Sequence, residues 1–520
     1  MQLITKRTVW LLLMVCAIGI SSCKKWDDHL APDGKVINET LTEHIQKKSN
    51  LSKFAEYLKA TGLDEEIGSS KNYTVWAPTN EALGNLSADI VNDKEKLKQF
   101  LLNHISGQLF FSRMASDEVR IQMLNGKRNA QNNMVFSGAD ILEADIALKN
   151  GVLHVIDKAV APLPNVWEFI RSTRNDYLQN NYVASLVHEV QDPSKAEVDG
   201  IDPITGEPIY VPGTGMVEIN AYLTKVYDLS NEDSLYTYVV LKNPVYTSAL
   251  DDQKPFFKSN DPDTTAANAA WNVVKDLAIK GLYKPNQLQQ ALLSRFNVHV
   301  NVNSSNIESI HEASNGIVYI VDNMSFAMNE KIPEFRIEGE NPHRFSNTTD
   351  NFVAKIMYRE RLNPFTNERF KDIYLNLGSS GLNEYIEYVT NNLYTTKYQV
   401  YAVCISDRVI SGLGDDAYGT DSVLTQTFQF GKYTAARADF VPDFESEKTV
   451  EKADYNEIYI GEIENLSYDW LLSFPERLPD GTVSAINPAT QAIRVKAPSA
   501  TKTGIPNNLT LDYLRFVPVF

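Results

Sequence analysis

The chain has almost no cysteine. Among 520 residues only Cys16, Cys23 and Cys404 carry a thiol. Cys16 falls inside an N-terminal stretch that reads as a removable export signal, so no pair remains to build a disulfide framework. Cys404, within the apolar run 400–405, reads as a small core residue. Basic residues are also in deficit, 49 against 66 acidic, for a formal net charge of −17. Removing residues 1–22, whose only charges are Lys6 and Arg7, makes it −19. Such a surface repels phosphate backbones, which excludes nucleic acid as a partner. The motifs of common catalytic sites are missing too. There is no Gly-x-Ser-x-Gly elbow, no His-Glu-x-x-His, no phosphate-cradling glycine loop and no Cys-x-x-Cys pair. Gly378-Ser379-Ser380-Gly381 reads as a turn. Carboxylates are plentiful, but nothing in the sequence brings two into register for glycoside hydrolysis. Asp199, Asp202, Asp261 and Asp263 lack the twelve-residue spacing of a calcium loop and read as solvated acids. His104 and His154 have no partner at metal-ligand or triad spacing and read as hydrogen-bonded structural histidines. The expectation is a protein that is not an enzyme, with no catalytic residue, metal or cofactor.

What the chain does have is a repeat. Asn150-Gly151-Val152-Leu153-His154-Val155-Ile156-Asp157 returns as Asn315-Gly316-Ile317-Val318-Tyr319-Ile320-Val321-Asp322. Upstream, Tyr73-Thr74-Val75-Trp76-Ala77-Pro78-Thr79-Asn80 returns as Tyr236-Thr237-Tyr238-Val239-Val240-Leu241-Lys242-Asn243. The separation from Asn80 to Asn150 is 70 residues, and from Asn243 to Asn315 it is 72. Two anchors at nearly constant spacing imply two tandem domains. Each Asn-Gly reads as a positive-φ turn leading into a strand buried on both faces. Leu51, Phe54, Ala55, Leu58 and Leu63 recur at helical spacing and place a helix against the strand at 73–76. Thr79 or Asn80 is placed to cap the helix that follows that strand.

The first copy, with its Thr-Val-Trp-Ala-Pro-Thr-Asn-Glu-Ala-Leu (74–83), Leu101-Leu102-Asn103-His104-Ile105 and Asn-Gly-Val-Leu-His-Val-Ile-Asp, resembles the fasciclin-type domain at all three of its usual motifs. The second copy is a diverged version. Ala77-Pro78 becomes Val240-Leu241, His154 becomes Tyr319, and no clear equivalent of 101–105 survives. The resemblance implies compact α/β units used in adhesion and extracellular binding. Domain one covers 36–162. Domain two covers 163–333 and opens with a long helical stretch at 166–190. It is interrupted at 192–215 by Pro193, Pro203, Pro208 and Pro212 together with Gly200, Gly206, Gly213 and Gly215. Breakers at that density mark a surface excursion, either a partner contact or a tolerated insertion.

Residues 335–520 carry short apolar runs at 352–357, 398–405, 424–430, 457–463 and 509–519, separated by Gly, Asn and Pro clusters. They read as an all-β sandwich. The alternation at 509–518 resembles the last strand of jelly-roll, galactose-binding-like modules. This domain holds 13 of the 25 tyrosines and the late Trp470. Tyr468-Asp469-Trp470 has the residue types that stack on and hydrogen-bond to sugars, so these three are the candidate ligand-binding residues. The fold class expected is multidomain α+β: two fasciclin-like α/β domains followed by a jelly-roll-like all-β sandwich.

The N-terminus reads as an address. Lys6 and Arg7 precede an apolar run at 9–20, which is shorter than the roughly 20 residues needed to span a bilayer. It ends in Ile20-Ser21-Ser22-Cys23, which resembles a bacterial lipobox. That makes 1–22 a lipoprotein signal peptide, Cys23 the lipidated residue and 23–35 a tether; the alternative is an ordinary cleaved signal. Lys24, Lys25, Asp27 and Asp28 resemble the surface-export signal of lipoproteins in the Bacteroidetes. The resemblance as a whole implies a surface-facing outer-membrane lipoprotein. Its expected role is accessory binding component of a starch-utilisation-type glycan or nutrient uptake complex. The partners so implied are a TonB-dependent transporter and its substrate-binding lipoprotein, an oligosaccharide, and the membrane through the lipid. A fasciclin-type adhesin is the alternative.

Overall fold

The computed structural model describes residues 38–68, 71–389, 393–407, 409–410, 417–418, 422–433, 440–468 and 491–520. The repeated anchors turn out to be neighbours. Strand Tyr73–Pro78 lies parallel to Gly151–Ile156, with Tyr73 opposite Gly151; strand Tyr236–Leu241 lies parallel to Gly316–Val321, with Tyr236 opposite Gly316. All four strands are buried throughout, as unalternating apolar runs demand. The sheet of the second module runs Ala278–Lys280, Tyr236–Leu241, Gly316–Val321, Ile307–Ala313, matching Ile105–Ser106, Tyr73–Pro78, Gly151–Ile156, Ala139–Leu148 in the first. The first sheet then continues through Val135–Phe136, Arg128–Asn132 and Val119–Gln122 to seven strands.

The repeated Asn-Gly pairs are not the turns expected: Lys149-Asn150 and Ser314-Asn315 turn the chain, and each glycine is the first residue of a strand. A Cβ on Gly151 would lie 2.0 Å from the Tyr73 carbonyl oxygen, and one on Gly316 would lie 2.1 Å from that of Tyr236. Glycine is needed because the parallel strand passes too close for any side chain. The asparagines act as internal caps. Asn150 Oδ1 accepts from Leu41 N (2.9 Å), at the start of helix Leu41–Lys47, and its Nδ2 donates to Ile67 O (2.6 Å). Asn315 Oδ1 accepts from Val166 N (2.9 Å), at the start of helix Val166–Ser172, and its Nδ2 donates to Leu229 O (2.9 Å). Each satisfies an orphan donor of a first helical turn. The second pair of asparagines behaves alike: Asn80 Oδ1 accepts from Lys53 N (2.9 Å) and Asn243 Oδ1 from Leu178 N (2.8 Å). Asn80 therefore serves the helix before its strand, Ser52–Thr61, while Thr79 Oγ1 accepts from Ala82 N (3.2 Å) beyond it.

The helical stretch expected at 166–190 is divided into Val166–Ser172 and Leu178–Ser185, followed by strand Val187–Gln191. The excursion after it is a paired ribbon, not a loop. In the C-terminal domain one sheet runs Phe335–Glu338, Tyr513–Val519, Lys397–Val403, Ile458–Glu464. A second runs Arg344–Phe345, Tyr385–Tyr388, Gln491–Lys496, Leu424–Tyr433, Phe440–Val450. A third joins Ile356–Leu362, Arg369–Leu375 and Leu509–Leu511. Tyr388, Tyr398, Val400, Phe428, Val495, Leu514 and Phe516 fill the space between. The run at 352–357 is not one strand: helix Asp350–Val353 precedes strand Ile356–Leu362. The alternating run at 509–519 is also divided. Leu509–Leu511 pairs with Arg369–Leu375, and Tyr513–Val519 pairs with Phe335–Glu338 and Lys397–Val403. Asp512 is the residue at which the chain changes sheets.

Candidate ligand-binding cleft in the C-terminal sandwich

That change of sheets opens a cleft of about 740 Å³. Strand Phe335–Glu338 brings Arg336 and Glu338, and Glu340 follows. The hairpin of Ile356–Leu362 and Arg369–Leu375 brings Glu360, Arg369, Phe370 and Lys371, with Asn363 and Thr366 in its turn; Tyr455, Asp512 and Tyr513 complete the wall over Val403 and Ile405. Gly339 sets the spacing at the inner end. Its N–H donates to Asp512 O (2.6 Å), and a Cβ there would meet Leu511 O at 2.1 Å. Glu338 and Glu340 are thereby held beside Asp512.

Strand alternation puts Arg359 and Arg361 on one face, with Asp372 directly opposite Arg359. Asp372 is wholly buried and accepts from Arg359 Nε (2.7 Å) and Arg361 Nη1 (2.9 Å). Arg361 also pairs with Asp407, which accepts from the Tyr455 hydroxyl at 2.8 Å. This network, in which Arg359 Nη1 and Asp407 Oδ1 are left without partners among the described residues, is the backing that holds Tyr455. Phe365, 80% exposed at the hairpin turn, meets the Tyr455 ring edge to face at 5.8 Å.

The carboxylates at the inner end lack such support. Asp512 is 8% exposed, and its carboxylate has neither a hydrogen-bond nor an ion-pair partner among the described residues. Among the described residues Glu340 Oε2 is buried without a partner, and Glu338 forms no ion pair. Burial first, then the nearby Asp372 and Glu338 charges, push the Asp512 carboxyl up to about 7, against a smaller opposing pull from Arg336. Among the described residues Lys371 forms no ion pair; Arg336, on the same strand as Glu338, lies over the Tyr513 ring at 3.4 Å, and Arg369 pairs with exposed Glu360 at 3.0 Å. Carboxylates, the Lys371 ammonium and the Tyr455 and Tyr513 rings lining one cleft suit a neutral ligand rich in hydroxyls. Among the described residues no group of three or more His, Cys, Asp or Glu is placed to hold a metal ion.

Of the ligand-binding candidates read from sequence, the described one, Tyr468, lies elsewhere. Tyr468 packs against Phe257 (ring centroids 5.0 Å apart) where the second module meets the sandwich, and its N–H donates to Lys258 O at 2.7 Å. Asp469 and Trp470 lie outside the described residues, as do Cys23, Lys24, Lys25, Asp27 and Asp28. His104 is buried, with Nδ1 bonded to Phe100 O (2.8 Å) and Nε2 accepting from Val160 N (3.1 Å); burial lowers it to about 4, so it is neutral. His154 bonds Phe110 O (3.0 Å) and stacks on Trp76 (5.4 Å). Its counterpart in the second copy performs the same task, since the Tyr319 hydroxyl donates to Tyr283 O at 2.7 Å. Even the loop contact is shared: Thr74 Oγ1 accepts from Phe110 N (2.8 Å) and Thr237 Oγ1 from Tyr283 N (3.0 Å). Leu277 takes the place of His104, for Val239 N donates to Leu277 O as Trp76 N donates to His104 O, both at 2.9 Å. Cys404 is buried and free. The cleft escaped sequence reading because its walls are far apart in the chain. The one local sign was Asp512, the lone acid in an otherwise alternating apolar run.

Comparison with known proteins bears on the first module most directly: the family model described as Fasciclin domain matches residues 49–162. Human periostin is 21% identical over 250 residues, 42% of this chain and 29% of periostin. The pig transforming growth factor-beta-induced protein ig-h3 is 30% identical over 135 residues, 24% of this chain and 20% of that protein. The Synechocystis protein sll1483 is 29% identical over 134 residues, 24% of this chain and 73% of that protein. The chain thus spans less than a third of the first two relatives. Among solved structures, a FAS1 domain pair from the insect cell adhesion molecule Fasciclin I aligns with 54% of this chain and 99% of its own, at 15% identity and a TM-score of 0.22. A family 11 carbohydrate-binding module of a Clostridium thermocellum cellulase aligns with 36% of this chain and 96% of its own, at 8% identity and a TM-score of 0.20. Residues 49–162 thus match a fasciclin domain, within an α/β region that is followed by a β-sandwich.

Proposed function

We propose that the chain is a non-catalytic, saccharide-binding surface lipoprotein, an accessory to a TonB-dependent importer and its lid lipoprotein in the outer membrane. The observation that carries the binding step is the cleft around Asp512, where carboxylates and the Lys371 ammonium without ion-pair partners among the described residues line one cavity with Tyr455, whose ring meets the exposed Phe365. The anchor rests on Cys23 and the export signal on Lys24, Lys25, Asp27 and Asp28; the importer rests on sequence resemblance. The full chain screened on a glycan array and then titrated calorimetrically is expected to bind one class of oligosaccharide. Phe365→Ala and Lys371→Ala are each expected to weaken binding about tenfold, the worth of one stacked ring or charged hydrogen bond. Absence of binding to any glycan overturns the reading. For the importer, a tag after Phe520 and purification from solubilised outer membranes should recover a TonB-dependent barrel stoichiometrically. Recovery of the protein alone counts against the complex and turns attention to adhesion.

One observation favours a second reading. A carboxyl that keeps its proton near neutral pH beside a second carboxylate is the pairing used in glycoside hydrolysis. New reducing ends in the same incubations, lost in Asp512→Asn, would replace binding by hydrolysis.

A further inference from the structure

Residues 187–220 run out from the second module, rooted there by Asn220, whose Nδ2 donates to Val183 O at 2.9 Å. Val187–Gln191 pairs with Met216–Asn220 and, further out, Val198–Ile201 pairs with Pro208–Tyr210, so the chain runs out as a two-stranded ribbon and returns. The ribbon is shaped, not slack. At its tip Asp202 Oδ1 accepts from Ile204 N (2.7 Å) and Thr205 N (3.1 Å), while Asp202 N donates to Glu207 O at 2.8 Å. Midway, Gln191 Nε2 donates to Val211 O (2.7 Å) and Thr214 O (3.0 Å). Yet its apolar side chains are bare: Val198 is 59% exposed, Ile201 69% and Ile204 93%. A lone two-stranded ribbon is marginal in water, and bare apolar residues on open strand edges mark a contact surface.

Charge selects the occupant. Residues 187–220 hold seven carboxylates and one lysine, Lys195, which lies 3.6 Å from Asp192. Glu189, Glu197, Asp199, Glu207 and Glu218 form no ion pair among the described residues. An anionic membrane surface repels such a ribbon. A second copy of a chain with net charge −17 sets negative against negative. We propose that the ribbon docks into a groove on a different protein, apolar at its floor and lined at its rim by lysine and arginine. Ile201 and Ile204 are the anchors, and the flanking carboxylates steer and set register. This surface is separate from the cleft and stands whether or not the cleft holds a saccharide.

The test places a photo-activated benzoylphenylalanine at position 204 of the full chain in the cells that make it, with position 142 of the first module, where Leu142 is 58% exposed, as control. The expected result is one protein adduct from position 204 and none from 142, with the cross-linked peptide carrying Lys or Arg beside apolar residues. Adding Asp199→Lys and Glu207→Lys should lower the yield about tenfold, and raising salt from about 50 to about 300 mM should lower it too. The melting temperature should hold within about 2 °C, because no core residue changes. With the cross-linker at position 201, Ile204→Ser should lower the yield without touching charge. An adduct of the chain with itself, an adduct with lipid alone, no adduct, or a yield indifferent to charge reversal each overturns the proposal.

Discussion

Asp512→Asn should make the sandwich more stable at pH 7.5 and leave it unchanged at pH 4. The carboxyl stands at about 7 in the folded protein against 3.8 ordinarily. The folded state therefore holds the proton that the unfolded chain gives up between these values, and folding stability falls as pH rises from about 4 to about 7. A shift of roughly three units at 1.36 kcal/mol each sets an upper bound of about 4 kcal/mol. The carboxylate faces a cleft open to water, so screening reduces this to about 2 kcal/mol. Asparagine has the shape of the protonated acid without its charge, so the variant escapes the loss. For a domain of this size about 2 kcal/mol corresponds to roughly 4–8 °C in melting temperature. Calorimetric scans of both proteins from pH 4 to 7.5 read the difference, which cancels the titration of every other group. A variant less stable than the parent at pH 7.5, or a gap that does not change with pH, would refute the assignment of Asp512 as the strained acid of the cleft.

Three further perturbations probe the modules. Gly151→Ala and Gly316→Ala each drive a methyl into a strand carbonyl and should each cost about 3 kcal/mol, whereas Gly84→Ala, with open space around its Cβ position, should be nearly neutral; thermal melts compare them. Lys331 and Asp276 are both wholly buried and bond each other at 2.5 Å, with the ammonium also donating to Asn272 O at 2.6 Å. Lys331→Met should cost about 3–5 kcal/mol in urea unfolding, and Lys331→Met with Asp276→Leu should recover most of it, because the stranded carboxylate is the larger cost. Tyr319→Phe leaves Tyr283 O without its donor and should cost about 1–2 kcal/mol, with faster hydrogen exchange at Tyr283 N.

The two modules were legible in the sequence because their anchors pair with each other. Both runs must stay apolar on both faces, and the glycine opposite each tyrosine admits no substitute, so the pattern survives divergence. The task of the asparagines was not legible. A cap that reaches a helix 109 residues away for Asn150, or 149 for Asn315, leaves no local mark. Nor was the equivalence of His154 and Tyr319, since what is kept is a donor at one point in space and not a residue type. Sequence reading placed a sugar site at Tyr468, Asp469 and Trp470; the Tyr468 ring packs against Phe257, and the other two lie outside the described residues. The cleft depends on Gly339, Asp372 and Asp512 meeting across more than a hundred residues, through sheet pairings that a one-dimensional pattern does not contain.

The junctions between the three bodies differ in kind, and that difference bears on how the surfaces work together. The first module touches the second mainly through charge: Arg128 Nε to Asp233 at 3.0 Å, Lys127 to Glu168 at 2.6 Å and to Glu232 at 3.0 Å. Asp233 and Glu168 are exposed, so their pairs are individually weak and are screened by salt, whereas Lys127 and Glu232 are largely buried and Arg120 also donates to the Glu232 and Ser314 carbonyls. The second module meets the sandwich through backbone and rings. Thr395 N donates to Phe256 O (2.8 Å), Lys258 N to Thr395 Oγ1 (2.9 Å), and Phe257 is 4% exposed between Tyr394 and Tyr468. Salt does not screen buried rings. The ribbon and the cleft therefore sit on the two bodies joined by the firmer junction, and the more adjustable contact lies between them and the N-terminal module. A partner held on the ribbon would keep a fixed relation to whatever the cleft holds, while the N-terminal module, nearest the expected tether, absorbs changes in the distance to the membrane.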